Sequence, residues 1–143
     1  MQKFISFLFI LVSPFAFSAQ LEISNTNVRA NIPGSDNTAG YMVAENLSKK
    51  DISIVSVESN IAEFTELHSH TMKGDRMIMR HVKKVDIDAG ETTYFAPNSY
   101  HIMFINLKNR AKHGEKAKVT LHYDDGSSQT VMFDIIDPRK VSG

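Results

Sequence analysis

The chain has no cysteine and no tryptophan among its 143 residues. Without cysteine there is no disulfide framework and no thiolate ligand, so a blue-copper electron-transfer centre, which needs a cysteine sulfur beside two histidines, is excluded. A lipoprotein anchor is not expected either, because there is no thiol to acylate. An excess of one charge is also missing. The 16 basic residues balance 16 acidic ones and no block of like charge occurs, so neither nucleic acid nor an anionic membrane is expected as a partner. There is no internal repeat, low-complexity stretch or long linker, and nowhere does an apolar helical period persist for three turns.

What is present begins with an export signal. Lys3 precedes an apolar run from Phe4 to Val12, then Pro14 breaks the run and Ala16, Ser18 and Ala19 supply small residues. This pattern predicts a signal peptide over residues 1–19, cleaved after Ser18 or Ala19. The run is shorter than the roughly 20 residues that span a bilayer, and polar Gln20, Glu22 and Asn25 follow at once, so no membrane anchor is expected after cleavage. Loss of Lys3 leaves 15 basic against 16 acidic residues, a net charge of −1. Residues 20–143 suffice for a single domain with its own core.

Short runs of β-branched and aromatic residues recur between turn signals, the pattern of an all-β, Greek-key-like sandwich. Val119, Leu121 and Tyr123 alternate with Lys118, Thr120 and His122. Asp124-Asp125-Gly126 then supplies a hairpin turn, and Val131, Phe133 and Ile135 alternate on the return. Further strands are predicted over residues 21–30, 41–46, 52–58, 64–68, 77–82, 85–87, 92–95 and 101–107, with Ala89-Gly90-Glu91 and Ala96-Pro97-Asn98 as punctuation.

Four residues stand out on these strands. His68 is followed after ten intervening residues by Met79, after twenty-one more by His101, and after one more by Met103. Two imidazoles and two thioethers make a soft, mostly neutral donor set, which selects copper and above all Cu(I). Thioethers also suit an oxidising compartment, since they form no disulfide. His101 and Met103 leave the same face of a strand, Met79 lies on the strand from Met77, and His68 ends the strand from Phe64, so three segments can converge. Met42 and Met132 are assigned to structure, the default for methionine in a β protein.

His70, Met72, Met77 and His81 form a second layer, as exposed residues or as partners that hold the ligating imidazoles in one tautomer, with an auxiliary metal contact as the alternative. His113 and His122 are expected in solvent. A cupin-like enzyme, suggested by His68-Ser69-His70, lacks the carboxylate ligand it would need a few residues later. No set of nucleophile, base and oxyanion donor is recognisable, so no enzyme is expected.

The stretches Glu66-Leu67-His68, Met79-Arg80, Ala89-Gly90-Glu91, Pro97 and Tyr100-His101-Ile102-Met103 resemble the periplasmic copper chaperone family PCu(A)C, whose signature matches at all four donor positions and at every gap. Val28-Arg29-Ala30 and Thr38-Ala39-Gly40-Tyr41-Met42 extend the likeness over nearly the whole mature chain. The resemblance implies a cupredoxin-like, immunoglobulin-like β-sandwich in the periplasm, and a monomer is expected. It implies Cu(I) as the preferred ion, with Cu(II) possible, on His68, Met79, His101 and Met103. The partners it implies are a copper-accepting subunit of cytochrome c oxidase, a thiol-bearing assembly chaperone, or both. Copper buffering or resistance is the competing role. No His- and Met-rich tail follows Asp137, so a second, tail-borne site is not expected.

Overall fold

The computed structural model describes residues 21–140, and the export signal assigned to residues 1–19 lies outside the described residues. Ten strands follow one another: β1 (Glu22–Arg29), β2 (Thr38–Glu45), β3 (Ile52–Ser59), β4 (Ala62–Lys73), β5 (Arg76–His81), β6 (Val85–Ile87), β7 (Thr92–Phe95), β8 (His101–Leu107), β9 (Lys116–Tyr123) and β10 (Ser128–Ile136), then a single 3-10 turn over Pro138–Lys140. The all-β expectation holds, and the β9–β10 hairpin pairs antiparallel around Gly126 as the alternation requires.

Hydrogen bonding runs through the order β5-β4-β8-β2-β1-β10-β9-β3-β6, with β7 pairing with β2 off this path. β2 serves both neighbours in turn, because Thr38–Gly40 pair with β8 and Met42–Glu45 pair with β7. The inward residues of the two ends of the path meet in one core: Leu67, Ile102 and Phe104 from β4 and β8, and Ile54, Val119, Leu121 and Phe133 from β3, β9 and β10. This is the sandwich expected from the spacing of the strands. Met42 is core, as assigned, whereas Met132 is half-exposed and not core. Its neighbours explain the correction: Phe133 and Ile135 are buried, so the pleat turns Met132 outward.

The edge β5-β4-β8 carries the candidate donors. The sequence places His68 at a strand end, but β4 continues five residues further, to Lys73, and returns as β5. The alternation that carries Leu67 inward carries Glu66, His68, His70 and Met72 to the opposite face without interruption. The turn comes only at Gly74, where φ is +64°, a conformation that glycine adopts without steric cost.

Gly40 on β2 fixes how closely β8 can approach. A Cβ built there would lie 2.7 Å from the Phe104 ring and 3.3 Å from the Asn27 carbonyl oxygen, and Phe104 is fully buried with nowhere to swing. Gly40→Ala is therefore expected to destabilise the protein by about 1–3 kcal/mol, the usual cost of overpacking. Urea unfolding measures this, and an unchanged midpoint would show that the β2–β8 contact has slack. Gly40 pairs with Ile102, the residue between His101 and Met103, so the same contact positions the site.

Candidate metal centre

The three edge strands place their polar and thioether side chains in register on one face. Across β4 and β5, His68 lies opposite His81, His70 opposite Met79 and Met72 opposite Met77. Across β4 and β8, His68 lies opposite His101 and Glu66 opposite Met103. Directly opposed residues share a face, so His81, His68 and His101 form one row, with their flanking residues two positions away on the same side. The rings confirm the row: centroids are 5.7 Å apart for His68 and His81, 5.5 Å for His68 and His101, and 4.8 Å for His70 and His101.

Hydrogen bonds decide which ring nitrogen each histidine can offer. His68 Nε2 is 2.8 Å from Glu66 Oε2. An ionised carboxylate only accepts, so Nε2 carries the proton and Nδ1 keeps its lone pair. His101 Nδ1 is 3.2 Å from the Ser99 carbonyl oxygen, so there Nδ1 donates and Nε2 is the free nitrogen. That carbonyl also accepts the His70 backbone N–H at 3.3 Å, and it is presented by the turn in which Ser99 N–H donates to Ala96. Pro97 and Asn98, the latter at φ +67°, make that turn. One loop thus fastens β4 to β8 beside the histidines.

His68 Nδ1 and His70 Nδ1 are buried with no hydrogen-bond partner. Buried polar atoms are nearly always satisfied, and a lone pair left open beside two further imidazoles is what a metal ion would complete. Burial pushes the His101 imidazole below its ordinary value of 6.5, opposed by the Ser99 hydrogen bond and reinforced by His70 and His68. It is held neutral, the form that binds metal. Among the described residues no three His, Asp or Glu side chains are gathered closely enough to hold a metal by themselves; Met79 and Met103 are thioethers on the same face.

Met103 follows His101 by two residues on the same face and is half-buried. Met79 is 48% exposed and stands opposite His70, one strand beyond His68. The two methionines occupy opposite diagonals of His68. Met103 is thus carried by the same strand as His101, whereas Met79 stands on β5, on the far side of β4 from β8. The four candidate donors lie on one face of the sheet, with His101 at the start of β8 beside the 96–99 turn. His113 is exposed and accepts the Asp137 backbone N–H at 3.0 Å, and His122 pairs with Glu58 at 3.0 Å on the wet face; neither joins the row.

Glu66 is the residue to which sequence reasoning assigned no role. The signal was its position two before His68, which in a strand is the same face. A carboxylate that fixes an imidazole's tautomer commonly contributes 10–100-fold to metal affinity. Glu66→Gln is accordingly expected to weaken metal binding by about 10–100-fold, with thermal stability nearly unchanged. Chelator competition on both proteins measures it, and equal affinities would remove Glu66 from the site.

The LpqE-like family profile, described as "Putative lipoprotein LpqE-like", matches residues 21–135. The chain belongs to the LpqE-like family. A relative from Leifsonia xyli subsp. xyli (strain CTCB07), "Putative lipoprotein Lxx21020", is 31% identical over 118 residues, which are 82% of this chain and 70% of the relative. The fold of this chain is similar to that of PCuAC domains. A copper-bound PCuAC domain from PmoF2 superposes with a TM-score of 0.71 at 16% identity, over 82% of this chain and 93% of that one. The Cu(I) form of DR1885 from Deinococcus radiodurans is 27% identical with a TM-score of 0.65, over 81% of this chain and 77% of that one.

Proposed function

We propose that the protein is an exported copper carrier that holds Cu(I) on His68, Met79, His101 and Met103 and delivers it by ligand exchange. The observation that carries this reading is the opposed pair His68 and His101. Each has one ring nitrogen committed to an oxygen acceptor and the other free, on a face lined with thioethers. Such a set favours Cu(I), and Cu(II) is the weaker alternative. The 27% identity to a protein solved in its Cu(I) form supports the same ion.

The site's exposure supports transfer. His101 supplies a buried, fixed anchor at 3% exposure, while Met79 lies half in solvent. An acceptor ligand can displace the outer thioether first and the histidines last, so the ion need never be released to water. The predicted export signal and the lipoprotein relatives support a location outside the cytoplasm, the periplasm in a two-membrane cell. Among the described residues no helix is long and apolar enough to cross a membrane. The resemblance to PCu(A)C chaperones points to the copper centre of cytochrome c oxidase as acceptor, reached directly or through a thiol-bearing chaperone. The chain then acts as a monomeric, single-domain binding protein over residues 20–143, without catalysis.

Burial of His101 favours one second reading, a copper buffer that retains its ion. The two separate kinetically. A carrier hands Cu(I) to an accepting protein faster than a competing chelator captures the dissociated ion, and a buffer does not. Cu(I) titration against a chelator tests the site itself, with tight binding expected for the wild type and loss in His68→Ala and Met79→Leu. Wild-type affinity in His68→Ala would overturn the assignment.

A further inference from the structure

The β4–β5 hairpin carries two thioethers that the four-residue site does not use. Met72 and Met77 are directly opposed near the hairpin tip, and Met79 follows Met77 by two residues on the same face. Opposed residues in an antiparallel pair have Cβ atoms about 4.5–5.5 Å apart and diagonal ones about 7–8 Å, within reach of side chains as long as methionine. The three are 63%, 51% and 48% exposed. They are not core filler, because none lies under the sheet, and the turn beside them is only Gly74 and Asp75. Scattered exposed methionines need no explanation. Three in register, running from the hairpin tip to the buried, unpartnered nitrogen of His70, form a donor set.

We infer that Met72, Met77 and Met79 make a separate all-thioether site for Cu(I), a loading station from which the ion passes to the histidines. This rests on the reading that the neighbouring site carries Cu(I). Three neutral sulfurs match the soft monovalent ion, and thioethers used alone hold it more loosely than a set containing imidazoles. Met79 belongs to both sets and acts as the pivot. As the ion moves inward its bonds to Met72 and Met77 break, bonds to a histidine nitrogen and then to the remaining donors form, and the bond to Met79 persists. No electron moves, and none of the thioethers has a proton to lose. The arrangement also accounts for Met79 standing on the hairpin side of His68, away from Met103.

Ag(I), a redox-inert monovalent ion of the same softness, is the probe. The full chain, with its methionine methyls carbon-13 labelled, is titrated by calorimetry and followed by NMR. The wild type is expected to take a first, tight equivalent that engages Met79 and the histidines, and a second, weaker one held by Met72 and Met77 alone, with the Met72 and Met77 methyl signals moving on the second. In Met72→Leu/Met77→Leu the second equivalent is lost and the first is unchanged. Leucine keeps the bulk of these exposed side chains, and an unaltered melting temperature shows that folding is intact. A second equivalent that survives in the double variant, or a wild type that takes only one, overturns the loading station and leaves the histidine site standing. A first equivalent unaffected by His68→Ala is instead the failure of the four-residue site.

Discussion

His101→Ala is expected to lower Cu(I) affinity by more than about a hundredfold, because even residues that only orient a ligand contribute 10–100-fold. The same substitution is expected to destabilise the protein by about 2–3 kcal/mol, since it removes a buried ring and its hydrogen bond to the Ser99 carbonyl. Both effects follow from position: His101 touches the rings of His68 and His70 and is 3% exposed. Met103→Leu separates them, because it keeps apolar bulk on β8 while removing one sulfur, and should lower affinity with little loss of stability. Competition against a cuprous chelator gives the first quantity and urea unfolding the second. Retention of tight binding in folded His101→Ala would eliminate the opposed histidine pair as the core of the site.

The second large effect is on pH. Cu(I) competes with protons for imidazole nitrogen and not for thioether sulfur. Each imidazole that must shed a proton weakens binding tenfold per pH unit, so two of them allow a fall of up to about 10⁴-fold two units below their own values. Burial holds His101 neutral below 6.5, which keeps affinity high somewhat further into acid before the fall begins. The metal-free protein should follow the same group. The unfolded chain takes up this proton at 6.5 and the folded chain only at lower pH, so the stability due to neutral His101 is complete above 6.5. It is lost as pH drops through the lowered folded value. Affinity that stays flat from neutrality to about pH 4 would rule out imidazole ligation. Binding at Met72, Met77 and Met79 should by contrast be independent of pH over that range, a further way to tell the two sites apart.

Much of the fold is legible where the signal is local. β9 and β10 announce themselves by alternation and by the turn at Gly126, and the alternation of Val131, Phe133 and Ile135 already turns Met132 outward, against its assignment to the core by residue type alone. The Ala96-Pro97-Asn98 turn is equally visible. Its consequence, a Ser99 carbonyl shared by His70 and His101, is not, because it requires knowing that β4 lies beside β8. The length of β4 is hidden for a related reason. Of Ser69, His70, Thr71, Met72 and Lys73 only Thr71 favours a strand, too weak a signal to mark where one ends, and only pairing with β5 shows that residues 69–73 continue it.

By itself the sequence limited the donor chemistry. A chain without cysteine has only thioether sulfur to offer, and imidazoles with thioethers are donor types that suit a soft ion. The tertiary structure decided which imidazole nitrogens are free, that Glu66 orients His68, and that Met79 faces the hairpin thioethers rather than Met103. That His68 lies opposite His101, and Glu66 opposite Met103, depends on the register of β4 and β8, strands far apart in the chain. Register is set by what packs in the core, such as Phe104 against Gly40, and not by the residues that line the site.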